Sequence, residues 1–433
     1  MESELTKMVI EDQREEIENK FKNEKIIPRE GLNESKKFLT DPFAFITMGL
    51  RRCGKSIFSH LLIRDKKYAY VNFDDERLKA CKVDDLNKVL EVIYQLYGDV
   101  DYLILDEIQN ILGWELFVTR LQRTKRVIIT GSNSNLLGTE LATHLTGRYV
   151  DFVLYPFSFR EFLKFNDFVP NPYLTKSIGQ TKKYLEDYIQ NGGIPDCYKF
   201  GVRYLLSLYS NILDRDVLSR YKIKYQKEFH EIARYLISNH SKEFSYNKLA
   251  NIWKIKNVHT VINYISYLEN SFIIFQLLRF SYKLKEQHLA PRKIYCIDPG
   301  IINIIGFKTS ENKGHLMENI VAIELQRAKA FNPQLEIYFW RDYQMHEVDF
   351  ILKKKNSILE CIQVTHASNR YDIENREVKS LLKARNELQC KNLKMITYDY
   401  ESEDNDIQYI PLWKWLLYES PTIIMENRYA KNI

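Results

Sequence analysis

Apolar positions along this chain fall into two textures. From residue 43 to 154, short continuous apolar runs alternate with amphipathic stretches, the runs covering 43–48, 67–73, 101–105, 126–130 and 150–154. Runs of this length bounded by turn residues read as strands buried on both faces. Between the second and third, Leu86, Val89, Leu90, Ile93, Leu96 and Tyr97 recur at helical spacing on one face. Buried strands alternating with helices predict an α/β domain built on a parallel sheet. Residues 1–40 read as a leading segment of helices with a turn at Ile27-Pro28-Arg29.

After Leu154 the texture changes. Residues 156–225 read as helical, interrupted by Asn191-Gly-Gly-Ile-Pro195, a turn signal that no helix survives. Residues 226–298 predict helices over His230–Ser238, Ser245–Trp253 and Val258–Asn270, then strands over 272–278 and 293–297. That order suits a winged helix-turn-helix, with Lys254, Lys256, His259 and Asn263 placed to face a DNA groove. The other reading is a small helical module used for packing or protein contact. Residues 299–433 predict a helix around Gly314–Leu325 and strands near 336–340, 346–352 and 358–365, a second α/β domain. The expected domains are therefore 1–155, 156–225, 226–298 and 299–433.

The chemistry concentrates where the first strand ends. Gly49-Leu-Arg-Arg-Cys-Gly-Lys-Ser56 matches G-x-x-x-x-G-K-[ST], between an apolar strand and a helix-like stretch. Such a loop wraps phosphates with backbone N–H groups at a helix N-terminus. Gly49, Leu50, Arg51, Arg52, Cys53, Gly54, Lys55, Ser56 and Ile57 are thus expected to bind ATP. Lys55 would reach the β- and γ-phosphates and Ser56 would hold Mg²⁺. The strand Asp101-Tyr-Leu-Ile-Leu ends in Asp106-Glu107, acids at the mouth of the sheet. Asp106 is expected to hold Mg²⁺ and Glu107 to polarise the attacking water. Ser132 or Asn133, past the strand 126–130, would orient that water or meet the γ-phosphate. Arg148 reads either as an arginine finger for a neighbouring subunit's phosphate or as a surface ion pair. Asp74 and Asp75, after the second strand, read first as caps for the next helix and second as support for magnesium.

Composition narrows the class. No stretch approaches the roughly 18 apolar residues of a membrane span. The charged start Met1-Glu-Ser-Glu-Leu-Thr-Lys has no apolar signal core, so a cytoplasmic protein is expected. Six cysteines, at 53, 81, 197, 296, 361 and 390, form no C-x-x-C pair, which argues against a zinc site or a disulfide framework. A net charge of +6 permits nucleic-acid binding without arguing for it.

Motifs along nearly the whole chain carry a resemblance. They are Gly49–Ser56, Leu105–Gln109 with Gly113-Trp114, Gly131-Ser-Asn133, Gly147-Arg148, Pro156–Phe162, Asn191–Pro195, Tyr295–Gly300, Gly314–Asn319 and Glu347–Phe350. In this order they resemble bacterial and archaeal AAA+-type P-loop ATPases that end in a domain of nuclease-like fold. The C-terminal part resembles PD-(D/E)XK nucleases, whose core joins a helix Glu, a strand Asp and an E-x-K on the next strand. Glu318 and Asp349 match the first two. Gln363-Val-Thr365 stands at the E-x-K position, so the acid has become an amide and the lysine a threonine. Glu347 or Glu360 would be the substitute ligand. The resemblance implies ATP and Mg²⁺ as cofactors, a degenerate nuclease-like site, and a homo-oligomer or protein partner. Two function classes stay open: an ATPase coupled to DNA binding or remodelling, and a nucleotide-dependent switch controlling a protein assembly.

Overall fold

The computed structural model describes residues 3–137, 147–307 and 313–423. The chain divides into two compact units, Met1–Tyr155 and Pro156–Ile433.

Among the described residues, the first unit is built on five strands: β1 (Ala44–Met48), β2 (Tyr68–Asn72), β3 (Tyr102–Asp106), β4 (Arg126–Gly131) and β5 (Tyr149–Val153). All pair in parallel, in the order β2-β3-β4-β1-β5. The predicted parallel sheet is therefore present. Its inner strands are apolar on both faces, with Ile46, Ile104 and Ile128 fully buried, because helices cover both sides. Register matters more than order here. Met48 pairs with Gly131 and Asp106 with Thr130, so β1, β3 and β4 end together. Whatever follows those three ends must converge.

β2 is an edge strand, and the helix Ser3–Asn23 closes it. Gln13 Oε1 accepts from Asn72 N–H at 2.9 Å, and Gln13 Nε2 donates to Asn72 O at 3.0 Å. One side-chain amide thus takes the place of a neighbouring strand and blunts the edge.

The described residues of the second unit carry a nine-stranded sheet. Its strands are β6 (Glu243–Phe244), β7 (Ile274–Arg279), β8 (Arg292–Cys296), β9 (Leu335–Arg341), β10 (Glu347–Lys354), β11 (Ser357–Val364), β12 (Leu393–Thr397), β13 (Ser402–Asp404) and β14 (Ile407–Pro411). The order is β13-β14-β12-β11-β10-β9-β7-β8-β6. Helices Gln226–Ser238, Tyr246–Ile252 and Val258–Asn270 precede β7. Strands β6, β7 and β8 form an antiparallel group, and β7 then pairs in parallel with β9 at Leu278–Tyr338. The strands expected to end a separate module therefore run on into the C-terminal sheet.

The turn at Asn191–Pro195 separates helices Thr175–Asn191 and Pro195–Asn211. Buried Asp298 holds it, accepting from Gly193 N–H at 2.6 Å and from Gly300 N–H at 2.9 Å. Gly192 sits at φ +80°, and a Cβ there would meet Asp298 Oδ1 at 2.0 Å. Glycine is required twice over at that position, by backbone conformation and by space. No helix among the described residues is long and apolar enough to cross a membrane.

Candidate functional site

The loop after β1 turns back through left-handed backbone at Arg52 (φ 66°) and Gly54 (φ 102°) before the helix Lys55–Leu62 begins. Gly49 has φ 150°, and a Cβ there would strike Leu154 O at 2.1 Å, so the loop lies against the end of β5. Cys53 reinforces that seam, its thiol 3.2 Å from Leu154 O. Burial pushes the Cys53 thiol up, so it packs rather than reacts. Buried Arg29 braces the loop from behind, donating to Cys53 O at 2.7 Å and to Tyr155 O at 2.6 Å. Sequence reasoning placed Arg29 only in a turn; nothing local marks it as a brace.

Converging strand ends complete the site. Ser56 Oγ donates to Asp106 Oδ2 at 2.6 Å, and Thr130 Oγ1 donates to Asp106 Oδ1. Tyr70, on β2, donates to Asp106 Oδ2 at 2.9 Å. Lys55 Nζ donates to Gly49 O at 3.2 Å and to Leu50 O at 3.1 Å, and lies 4.0 Å from Glu107 Oε1. Glu107 stands in left-handed backbone (φ 53°), which turns its carboxylate toward Ser132. There Glu107 Oε2 accepts from Ser132 N–H at 3.3 Å, from Ser132 Oγ at 3.1 Å and from Gln109 Nε2. Desolvation raises the Glu107 carboxyl above its ordinary range, while the Lys55 charge pulls the other way. A carboxylate raised by burial is a better base than one in water.

The structure thus gathers Lys55, Ser56, Asp106, Glu107 and Ser132, with Asn133 fully buried next to them in sequence. It also supplies Tyr70 and Thr130, which no motif singled out. Arg51 pairs with Asp74 at 2.8 Å, and Asp75 caps the short helix Glu76–Leu78 through Arg77 N–H at 3.0 Å. Arg148 is exposed and lies elsewhere. It immediately precedes β5, whose Tyr149 pairs with Ala44, so Arg148 sits at the opposite end of the sheet from the loop. A nucleotide in this loop is out of its reach.

The glycine cradle, the helix start and the paired hydroxyl and carboxylate fit a nucleoside triphosphate with magnesium. Lys55 would hold the phosphates, and Ser56 and Asp106 the ion.

In the second unit, Glu318 and Asp349 do come together, but around a residue that sequence reasoning did not select. Lys293 Nζ, on β8, donates to Glu318 Oε1 and Asp349 Oδ1, each at 2.9 Å. Glu347 joins them at 2.7 Å. Glu360 does not, since it pairs with Lys394 at 2.7 Å. Gln363 comes opposite Asp349, one step past the Phe350–Ile362 pair, and its buried Oε1 accepts no hydrogen bond. Lys254, Lys256, His259 and Asn263 are all exposed, on the turn before the helix Val258–Asn270 and on that helix.

Comparison with known proteins agrees with the first unit. Residues 41–163 match the model of a family described as an AAA domain. Residues 182–311 and 313–415 match models of two domains of unknown function. On the sheet and loop just described, the first match makes residues 41–163 an AAA-type P-loop domain. An uncharacterized protein of Methanocaldococcus jannaschii is 35% identical over 396 residues, covering 86% of this chain and 88% of that protein. An uncharacterized protein of Haemophilus influenzae is 27% identical over 422 residues, covering 90% and 99%. A solved Walker-type ATPase of Pyrococcus abyssi is similar at 13% identity and a TM-score of 0.45, over 65% of this chain and 96% of that one. So distant a likeness carries no functional argument.

Proposed function

The chain belongs to the same family as its Methanocaldococcus jannaschii relative, and from that premise we propose that it binds and hydrolyses ATP with Mg²⁺ and couples the nucleotide cycle to DNA contact. One observation carries the ATPase half. The hydroxyl and carboxylate suited to Mg²⁺ are already 2.6 Å apart, with Lys55 and Glu107 beside them where the inner strands end. Ser56 and Asp106 would hold Mg²⁺, whose positive charge would offset that of the phosphates. Lys55 exchanges its hydrogen bonds to Gly49 O and Leu50 O for phosphate oxygens. Glu107, held by Ser132, orients the attacking water and takes its proton. Arg148 serves a neighbouring subunit's site rather than its own.

The DNA half rests on the helices Gln226–Ser238, Tyr246–Ile252 and Val258–Asn270 followed by β7 and β8, which suit a winged helix. Lys254, Lys256, His259 and Asn263 form its exposed polar face. A second reading, a nucleotide switch that controls a protein assembly, is favoured by Leu112 and Leu116, 83% and 62% exposed on the first unit. ATP hydrolysis by the purified protein, with and without duplex or branched DNA, separates the two. DNA-stimulated turnover supports coupling to DNA. Turnover indifferent to DNA, with nucleotide-dependent self-association, moves the function to the switch.

A further inference from the structure

Lys293 is 2% exposed, on a strand of the second unit, and the ATPase reading makes no use of it. A buried ammonium is costly unless its charge and all three of its N–H bonds find partners. Here three separate carboxylates surround it: Glu318 Oε1 and Asp349 Oδ1 each accept a hydrogen bond at 2.9 Å, and Glu347 Oε1 adds an ion pair at 2.7 Å. Of the second carboxylate oxygens, that of Asp349 is hydrogen-bonded and the other two have a basic side chain nearby. Asp349 Oδ2 accepts from Val364 N–H at 3.0 Å. Glu347 Oε2 lies 3.8 Å from Arg341 Nε, and Glu318 Oε2 lies 3.8 Å from His315 Nδ1. Tyr295 adds a hydrogen bond to Glu318 Oε1 at 2.8 Å, and the Phe339 ring lies 5.7 Å from the ammonium.

The resemblance to PD-(D/E)XK nucleases implies a divalent cation held by Glu318 and Asp349. The residues present do not fit one. Mg²⁺ demands oxygen ligands at about 2.0–2.1 Å in near-octahedral array. The oxygens that would supply them are bonded to a positive charge that cannot leave the interior without unpairing. A dication and an ammonium confined to the same oxygens repel, most strongly in a dry interior. Among the described residues no group of three His, Cys, Asp or Glu side chains is placed to hold a metal.

We propose that Lys293 is the built-in cation of this domain: its ammonium stands where a divalent metal would, and it makes Glu318 and Asp349 structural rather than catalytic. The same ammonium ties β8 to the helix Lys313–Phe331 and to β10, elements far apart in sequence. A parallel tie runs beside it. Asn319 accepts from Cys296 N–H at 2.9 Å and donates to Cys296 O at 2.8 Å. With the lysine gone, the three acids would be left without a counter-charge, beside the unpartnered Gln363 amide oxygen on the adjoining strand, and would draw in a cation to replace it. This inference rests on no property of the ATPase unit.

The test uses full-length, nucleotide-free protein titrated with Mn²⁺, read by electron paramagnetic resonance of free Mn²⁺ and by thermal melting. Lys293→Ala is expected to melt below wild type in chelator, to bind one more equivalent of Mn²⁺ than wild type, and to regain melting temperature on binding it. Adding Asp349→Asn should remove that equivalent. A folded Lys293→Ala protein that gains no Mn²⁺ overturns the proposal. Should Lys293→Ala fail to fold with or without Mn²⁺, wild type against Asp349→Asn decides. An Mn²⁺ equivalent in wild type that Asp349→Asn removes means metal and lysine share the centre, and the proposal fails. No such equivalent supports it.

Discussion

Tyr70 donates to the same Asp106 oxygen, Oδ2, that accepts from Ser56, at 2.9 and 2.6 Å respectively. Desolvation and the Asp106 charge raise the Tyr70 phenol well above its ordinary range, so at neutral pH it is always the donor. The His60 ring packs on Tyr70 with centroids 4.6 Å apart and limits its freedom. An acid suited to magnesium is therefore aimed by a residue on a neighbouring strand. Tyr70→Phe keeps the packing and removes the hydrogen bond, a loss of about 1 kcal/mol. The apparent Mg²⁺ affinity of hydrolysis should weaken about five-fold, with turnover at saturating Mg²⁺ little changed. A magnesium titration at fixed ATP checks it, and an unmoved midpoint would separate Tyr70 from the metal.

Lys55 and Glu107 lie 4.0 Å apart, yet their variants should behave differently. Lys55→Ala removes the group that meets the phosphates, so tight ATP binding should be lost. Glu107→Gln keeps the shape and removes the base, so binding should persist while turnover falls by about 10²–10⁴. Fluorescent-nucleotide titration and phosphate release measure the two separately. Normal hydrolysis by Glu107→Gln would strip Glu107 of its role.

Arg148 stands at the far end of β5 from the loop, about 15 Å away by strand length. Any role in hydrolysis would therefore be at a neighbour's nucleotide. Arg148→Ala should slow hydrolysis by about 10³ or more while leaving ATP binding nearly intact. Mixing Arg148→Ala with Glu107→Gln protein should restore part of the activity, because each supplies what the other lacks. A mixture no faster than its components returns Arg148 to an ordinary surface cation.

Asp298 predicts a pH dependence of stability. Desolvation pushes its carboxyl up to about 6, against the opposing hydrogen bonds from Gly193, Gly300 and Ile301 N–H. The folded value exceeds the unfolded value of about 3.9, so folding favours the protonated form. That contribution is complete below about pH 4 and is lost as pH rises through 6, a change of about 3 kcal/mol. Asp298→Asn does not titrate. The stability of wild type relative to the variant should therefore fall between pH 4 and 6 and level off above 7. Urea melts of both proteins across that range test it; a difference independent of pH would sink it.

Much of the first unit was legible because its signals are local. The five apolar runs became β1 to β5 within a residue or two, and the loop 49–56 sits where its glycines and its strand–helix context placed it. The helix Val258–Asn270 and the break at Asn191–Pro195 were legible for the same reason: an apolar period and a glycine–proline turn are properties of neighbouring residues. In the sequence Glu347 is one of two equivalent substitutes, because a strand pattern does not say which acid of which strand turns inward. Tyr70, Arg29 and Lys293 were not legible at all. One tyrosine in an apolar strand, one arginine after a proline and one lysine beside another basic residue look like a core ring and two solvated cations.

The sequence by itself determined the parallel sheet, the phosphate-type loop and the acids that face it, because strand period, turn glycines and residue spacing act over a few residues. Only the tertiary structure decided what meets those groups. Strand order brings Tyr70 to Asp106, the leading segment brings Arg29 to Cys53, and the β7–β9 pairing brings Lys293 among Glu318, Glu347 and Asp349. Those partners lie 24 to 56 residues apart along the chain. A buried charge is settled by whichever opposite charge the fold delivers to it, and that delivery leaves no mark in the local pattern.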